Sequence, residues 1–247
     1  MAYLSRNDIE DIAVRFTNDY QRLSRFDDFP ADWIDPHIFA HDLCGLNIDY
    51  YHLSDDRSIL GLTAQNAVGV EVKDDQDNTL IYYLDGKTIL IEKALQEDVK
   101  QQGRHNFTVM HEVSHQILGW LFPTLPQRTT CRIHYCMAAK RQHRSITDWD
   151  EWQADTLASA LLMPVNLVKT ALNYVGLNDG IDTLNRIKNP AVYSCFCKMA
   201  DFLGVSKQAL AIRLKQLGLL KENELRNPHG RRKAVLVFMD KEEAGDI

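Results

Sequence analysis

Apolar residues recur at helical spacing near the start of the chain. In "RNDIEDIAVRFTNDYQRL" they stand at Ile9, Ile12, Ala13, Phe16 and Tyr20, and Asn7 with Glu10 three positions on supplies the predicted cap. Asp35 and Pro36 predict the start of a second helix, Gly45 its end, and residues 48–52 a strand after it. The period then shortens. Residues 59–94 hold the β-type runs "AVGVEV", "TLIYYL" and "KTILIEKAL", separated by the polar turns "KDDQDN" and "DGK". They predict a small antiparallel sheet. The last run, with Ile89, Leu90 and Ile91, is read as an edge to which a peptide could add, or equally as a buried strand.

Helical spacing returns after residue 100. "NFTVMHEVSHQILGWLF" predicts a helix from an Asn106 cap to a stop at Pro123, with Met110, Val113, Ile117 and Leu121 as its apolar stripe. A polar, irregular stretch runs to about residue 146. "DWDEWQADTLASALLM" predicts another helix, capped by Asp148 and ended by Pro164, and residues 165–220 continue the helical period. The tail holds a turn at 227–230, one strand at 234–238 and a charged end. A short sheet inside a helical chain reads as α+β.

Composition narrows the classes. Of the 247 residues, 45% are hydrophobic and 25% charged, which fits a globular protein and excludes wholesale disorder. A net charge of −6 argues against general nucleic-acid binding. There is no apolar run long enough to span a membrane, and the acidic start "MAYLSRNDIEDIAVRF" is unlike a signal peptide. With five irregularly spaced cysteines, read as reduced thiols, the expected location is the cytoplasm.

The candidate chemistry lies in "VMHEVSHQILGW". Residues four apart share a helix face, so His111 and His115 can offer two imidazoles to one ion, with Glu112 beside them as a base. Two histidines leave zinc under-coordinated. The metzincin extension would need a glycine at 118 and a histidine at 121, and Leu118 and Leu121 exclude it. A glutamate from the later helix remains. Glu151 can bind the metal, and Asp155, four positions on, can accept the ring N–H of a ligating histidine. Ala154 and Ala158 keep that helix narrow. The expected cofactor is one zinc per chain, with its fourth position open to water that Glu112 deprotonates. His134, Tyr135 and His143 are candidate donors to the oxyanion or the substrate.

These residues, in this order, resemble the ImmA/IrrE family of metallo-endopeptidases. "RHNFTVMHEVSHQIL" is similar to that family's entry into its zinc helix. "EWQADTLASALLMP" is similar to its second ligand helix, although Leu157 stands where phenylalanine is usual. "FLGVSKQALAIRLKQLGLL" and "DDRSILGLTAQNAVGVEV" extend the resemblance over roughly residues 7–222. The stretch 121–146 departs from it by being long and cysteine-bearing. The resemblance implies a zincin-like, mostly helical metallopeptidase domain over 1–165, a helix-turn-helix-like region over 166–225 and a tail over 226–247. It implies zinc on His111, His115 and Glu151, Glu112 as the catalytic glutamate, and a helix-turn-helix transcriptional repressor as the protein substrate, often on a mobile element.

Two further signals compete. Cys131, His134, Cys136 and His143 stand close enough in sequence for a second metal, at a spacing matching no common pattern. Residues 200–217 have helix-turn-helix organisation, from which Lys207, Gln208, Arg213 and Lys215 would project, with Arg231, Arg232 and Lys233 downstream. Packing or repressor docking is the favoured reading of that hairpin, and direct DNA binding the lesser one. The alternative function is therefore a DNA-binding or repressor-sequestering module with a structural zinc.

Overall fold

The computed structural model describes residues 3–26, 32–123, 133–137 and 146–228, with backbone alone at Ser24, 133–135, 137 and 146–148. In chain order the elements are α1 (Arg6–Gln21), α2 (Pro36–Ile38, continued by a π-helical turn Phe39–Leu43), β1 (Asn47–Tyr51), β2 (Ile59–Ala64), β3 (Val68–Lys73), β4 (Thr79–Leu84) and β5 (Thr88–Glu92). There follow α3 (Lys93–Glu97), α4 (Gln102–Leu121), β6 (Ile133–Met137), α5 (Ile146–Leu162), α6 (Val165–Tyr174), β7 (Ile181–Leu184), α7 (Pro190–Phe202), α8 (Lys207–Gln216) and β8 (Leu220–Asn223). The class is α+β, with helices around small sheets.

The first cap sits two residues earlier than the sequence pattern suggests. Ser5, not Asn7, caps α1, and the Asp8 carboxylate accepts from the Ser5 backbone N–H at 2.8 Å to complete a capping box. Likewise α4 begins at Gln102, so Asn106 is no cap. Its amide is buried inside the helix, where it donates to the Gly204 carbonyl at 2.8 Å and accepts from Gln102 at 2.8 Å. A tertiary partner 98 positions away has drawn a cap-type residue into a helix interior.

The principal sheet has the order β1-β5-β2-β6, with β1 parallel to β5, and β5 and β6 both antiparallel to β2. All five residues of β5 are buried, so it is an inner strand. This corrects the edge reading of "KTILIEKAL": the outer strands are β1 and β6, and "KAL" already belongs to α3. The runs "AVGVEV" and "TLIYYL" form a separate antiparallel pair, β3–β4. Alternation in β5 divides the core. Ile89 and Ile91 join the large cluster that includes α4, while Leu90 joins Leu62, Val70, Val72 and Leu84 on the hairpin side. The sheet thus has α4 on one face and the hairpin on the other.

The large cluster also takes in Ala13 of α1, Ala154 and Leu161 of α5, Leu210 and Leu214 of α8, and Leu220 of β8. The region after 165 carries a short parallel pair, β7–β8, that helical periodicity did not reveal. Within the α7–α8 hairpin, Gly204 takes a left-handed turn at φ +62°. Arg213 does not project from α8. It is 0% exposed, donates through Nε to the Met163 carbonyl at 3.0 Å and forms a bidentate pair with Glu10 of α1. The sequence expectation for this side chain is therefore corrected: it ties α8 to α1 and α5.

Candidate metal centre

Helix α4 is held by its apolar residues. Val109, Met110, Val113, Ile117 and Leu118 are fully buried, at about 1.5–3 kcal/mol each. That packing is enough to carry polar residues into the interior on the same turns: His111, Glu112 and His115 are all 2% exposed or less. Helix α5 lies against α4, and its Ala154, Leu157 and Ala158 are buried. The small alanines allow the close approach that brings Glu151 over the two histidines.

Three donor groups converge. The two Nε2 atoms of His111 and His115 lie 3.1 Å apart, and the Glu151 carboxylate oxygens lie 3.2 Å from His111 Nε2 and 3.3 Å from His115 Nε2. On its other side His111 Nδ1 meets Asp155 Oδ1 at 3.1 Å, the arrangement that fixes a ligating imidazole's tautomer. The Glu151 side chain is 38% exposed, so the group opens towards solvent. His111, His115 and Glu151 form a set able to hold a metal ion.

Glu112 differs from its neighbours. It is 0% exposed and, among the described residues, neither carboxylate oxygen completes a hydrogen bond of ordinary geometry. Burial pushes its pKa up to about 8, with Glu151 adding to the rise, while His111 and the Cys136 backbone N–H favour the charged form. Burial alone would lower the His111 pKa. The acidic groups around it, Cys136, Asp155, Glu151 and Glu112, more than reverse this and raise it well above the ordinary value.

Gly61 of β2 explains how a carboxylate fits between helix and sheet. A Cβ there would stand 2.6 Å from Glu112 Oε1 and 2.9 Å from the Thr108 methyl. Next along that face, Thr63 accepts from Gln116 Nε2 at 2.6 Å, which pins β2 to α4 one turn beyond Glu112.

Of the remaining candidates, Cys136 comes to the same centre. Its Sγ, a His111 ring nitrogen and a Glu112 oxygen lie within 4.8 Å of one another, and burial pushes its thiol up to about 11. Sequence spacing had grouped Cys136 instead with Cys131, His134 and His143. Cys131 and His143 lie outside the described residues, as do Arg231, Arg232, Lys233 and the strand expected at 234–238. The backbone register pairs His134 with Thr63 and Tyr135 with Leu62; their side chains lie outside the described residues. Cys195 and Cys197 are both half-buried.

The chain matches no protein-family model and no curated protein. No helix among the described residues is long and apolar enough to cross a membrane.

Proposed function

We propose that the protein is a zinc-dependent endopeptidase of the ImmA/IrrE type, with a zincin-like core, that cuts a regulatory protein. The observation that carries this reading is the pairing of a three-donor set with an uncommitted buried carboxylate one residue from the first ligand. The spacing of the set suits a metal: zinc–nitrogen bonds of about 2.0–2.1 Å in a tetrahedron separate neighbouring donors by about 3.3–3.4 Å. The two Nε2 atoms, 3.1 Å apart, are close to that, and each has one of the two Glu151 oxygens at 3.2–3.3 Å. A structural metal site has no use for Glu112, whose burial carries a cost of several kcal/mol if charged.

His111, His115 and Glu151 would hold the ion, with Asp155 orienting His111. The ion would supply Lewis acidity to water and to the scissile carbonyl. Glu112 would take the proton from the attacking water and deliver it to the leaving amine. The substrate class follows from the resemblance: a helix-turn-helix repressor, whose cleavage would relieve repression.

The DNA-reading alternative needs exposed basic side chains on α8. It loses Arg213 to the core, and Lys207 lies over the Tyr193 ring at 5.9 Å. The test is to incubate the purified protein with repressors encoded beside it and follow chain cleavage. Wild type is expected to cut one of them and Glu112→Gln to leave it intact. Intact repressor held in a stable complex by both proteins would favour sequestration instead.

A further inference from the structure

His111 belongs to two donor groups, one with His115 and Glu151, the other with Glu112 and Cys136. The second group is assembled by the sheet. Gly61 of β2 rests against the Glu112 carboxylate, and its register partner on β6 is Cys136. Cross-strand partners share a face, so the face that meets Glu112 also brings up the thiol. The Cys136 sulfur, a His111 ring nitrogen and a Glu112 oxygen lie within 4.8 Å of one another. Both Glu112 oxygens are buried, and among the described residues neither completes a hydrogen bond of ordinary geometry. Asp155 already holds Nδ1 of His111 at 3.1 Å, which leaves Nε2 as the atom for either group. The two groups are therefore alternatives for one ion at a time.

We propose that His111, Glu112 and Cys136 form a second metal position, separate from the His111, His115 and Glu151 set, that takes a soft, thiophilic divalent ion. The donors differ in kind. The first set offers two imidazoles and a carboxylate, and the second replaces one imidazole by a thiolate, which favours softer metals. The second set is also the wider, with a 4.8 Å limit against 3.1 Å between the two Nε2 atoms, so it suits a larger ion. Charge points the same way. Glu112 and a Cys136 thiolate carry two negative charges, which cancel those of a divalent ion where Glu112 is sealed from water. As the ion binds, a metal–sulfur bond replaces the S–H bond, the proton passes to solvent and nothing is oxidised. On the peptidase reading above, an ion here takes the base as a ligand and claims a histidine that the zinc needs. A soft metal thereby switches the site off.

Cadmium is the probe, because a thiolate-to-cadmium charge-transfer band in the ultraviolet reports sulfur ligation without turnover. The chelator-treated full chain is expected to develop this band as cadmium is added, saturating at about one ion per chain. Cys136→Ser should lose the band while binding zinc as wild type does, with its fold checked by thermal melting and Cys136→Ala as a second variant. Glu112→Gln should keep the band but require about tenfold more cadmium. Glu151→Gln should behave in the opposite way to Cys136→Ser, losing zinc and keeping the band. The second position is overturned, and the zinc reading left standing, by any of four results: no band in wild type, a band that survives both Cys136 substitutions, one lost in Glu151→Gln, or a cadmium affinity unmoved by Glu112→Gln. A cadmium band in a protein that takes up no zinc leaves the second position standing and overturns the zinc reading instead.

Discussion

Two ionisable side chains, one basic and one acidic, are buried to the same extent, yet their surroundings differ. Arg213 meets the Met163 carbonyl and both oxygens of Glu10. Among the described residues, no donor completes a hydrogen bond of ordinary geometry to Glu112. A buried charge whose hydrogen bonds are satisfied locks elements together. One left unsatisfied costs stability and persists where chemistry needs a reactive group. On this comparison Arg213 ties α8 to α1, while Glu112, between α4 and β2, is the group that the proposed chemistry would use.

Substitutions at the two positions should separate these roles. Glu112→Gln is expected to lower peptide cleavage by about 10²–10⁴-fold, the usual contribution of a general base. Thermal melting of the same variant should show no loss of stability. Arg213→Ala should do the opposite. Removing one partner of a buried pair costs about 3–5 kcal/mol, read in denaturant unfolding, while metal content per folded chain stays unchanged. If Arg213→Ala proved harmless to folding but abolished cleavage, the contrast would collapse.

Smaller effects sharpen the picture. Asp155→Asn should weaken metal affinity by about 10–100-fold, measured by competition with a chelating dye, because the ring of His111 loses its anchor. Gly61→Ala should cost about 1–3 kcal/mol through overpacking against Glu112 and Thr108, and should reduce cleavage more than metal binding. The smallest effect concerns the metal-free protein. Glu112 has a folded-state pKa of about 8, above its ordinary value of 4.5. The folded state therefore holds more protons than the unfolded one between those two values. Stability should fall as pH rises across that window and level off above it. Melting of chelator-treated wild type and Glu112→Gln from pH 4 to 9 checks this, since the glutamine variant should show a smaller fall, keeping only the part that the raised His111 contributes.

The regular parts were legible in the sequence. His111, His115, Glu151 and Asp155 are spaced four apart in pairs, so the helical period alone places each pair on one face. Where they meet depends on α4 packing on α5, which the narrow Ala154 and Ala158 surface foreshadowed. Other features had no local signal. Arginine is rarely buried, and the partner of Arg213 stands 203 positions away. Strand β6 is five residues long in a polar stretch, and its pairing with β2 is what carries Cys136 to Glu112. "ILGLTA" was passed over as a strand, although its Gly61 is the position that lets sheet and helix close on Glu112. The apolar run of β5 fitted an edge or an inner strand equally, and only the flanking strands decide between them.

The central claim is the three-ligand metal site, and elemental analysis tests it most directly. Protein purified without added metal should carry about one zinc per chain, largely lost in Glu151→Gln while the fold is retained. Zinc that survives this substitution, or a wild type that stays metal-free even on titration, would contradict the account.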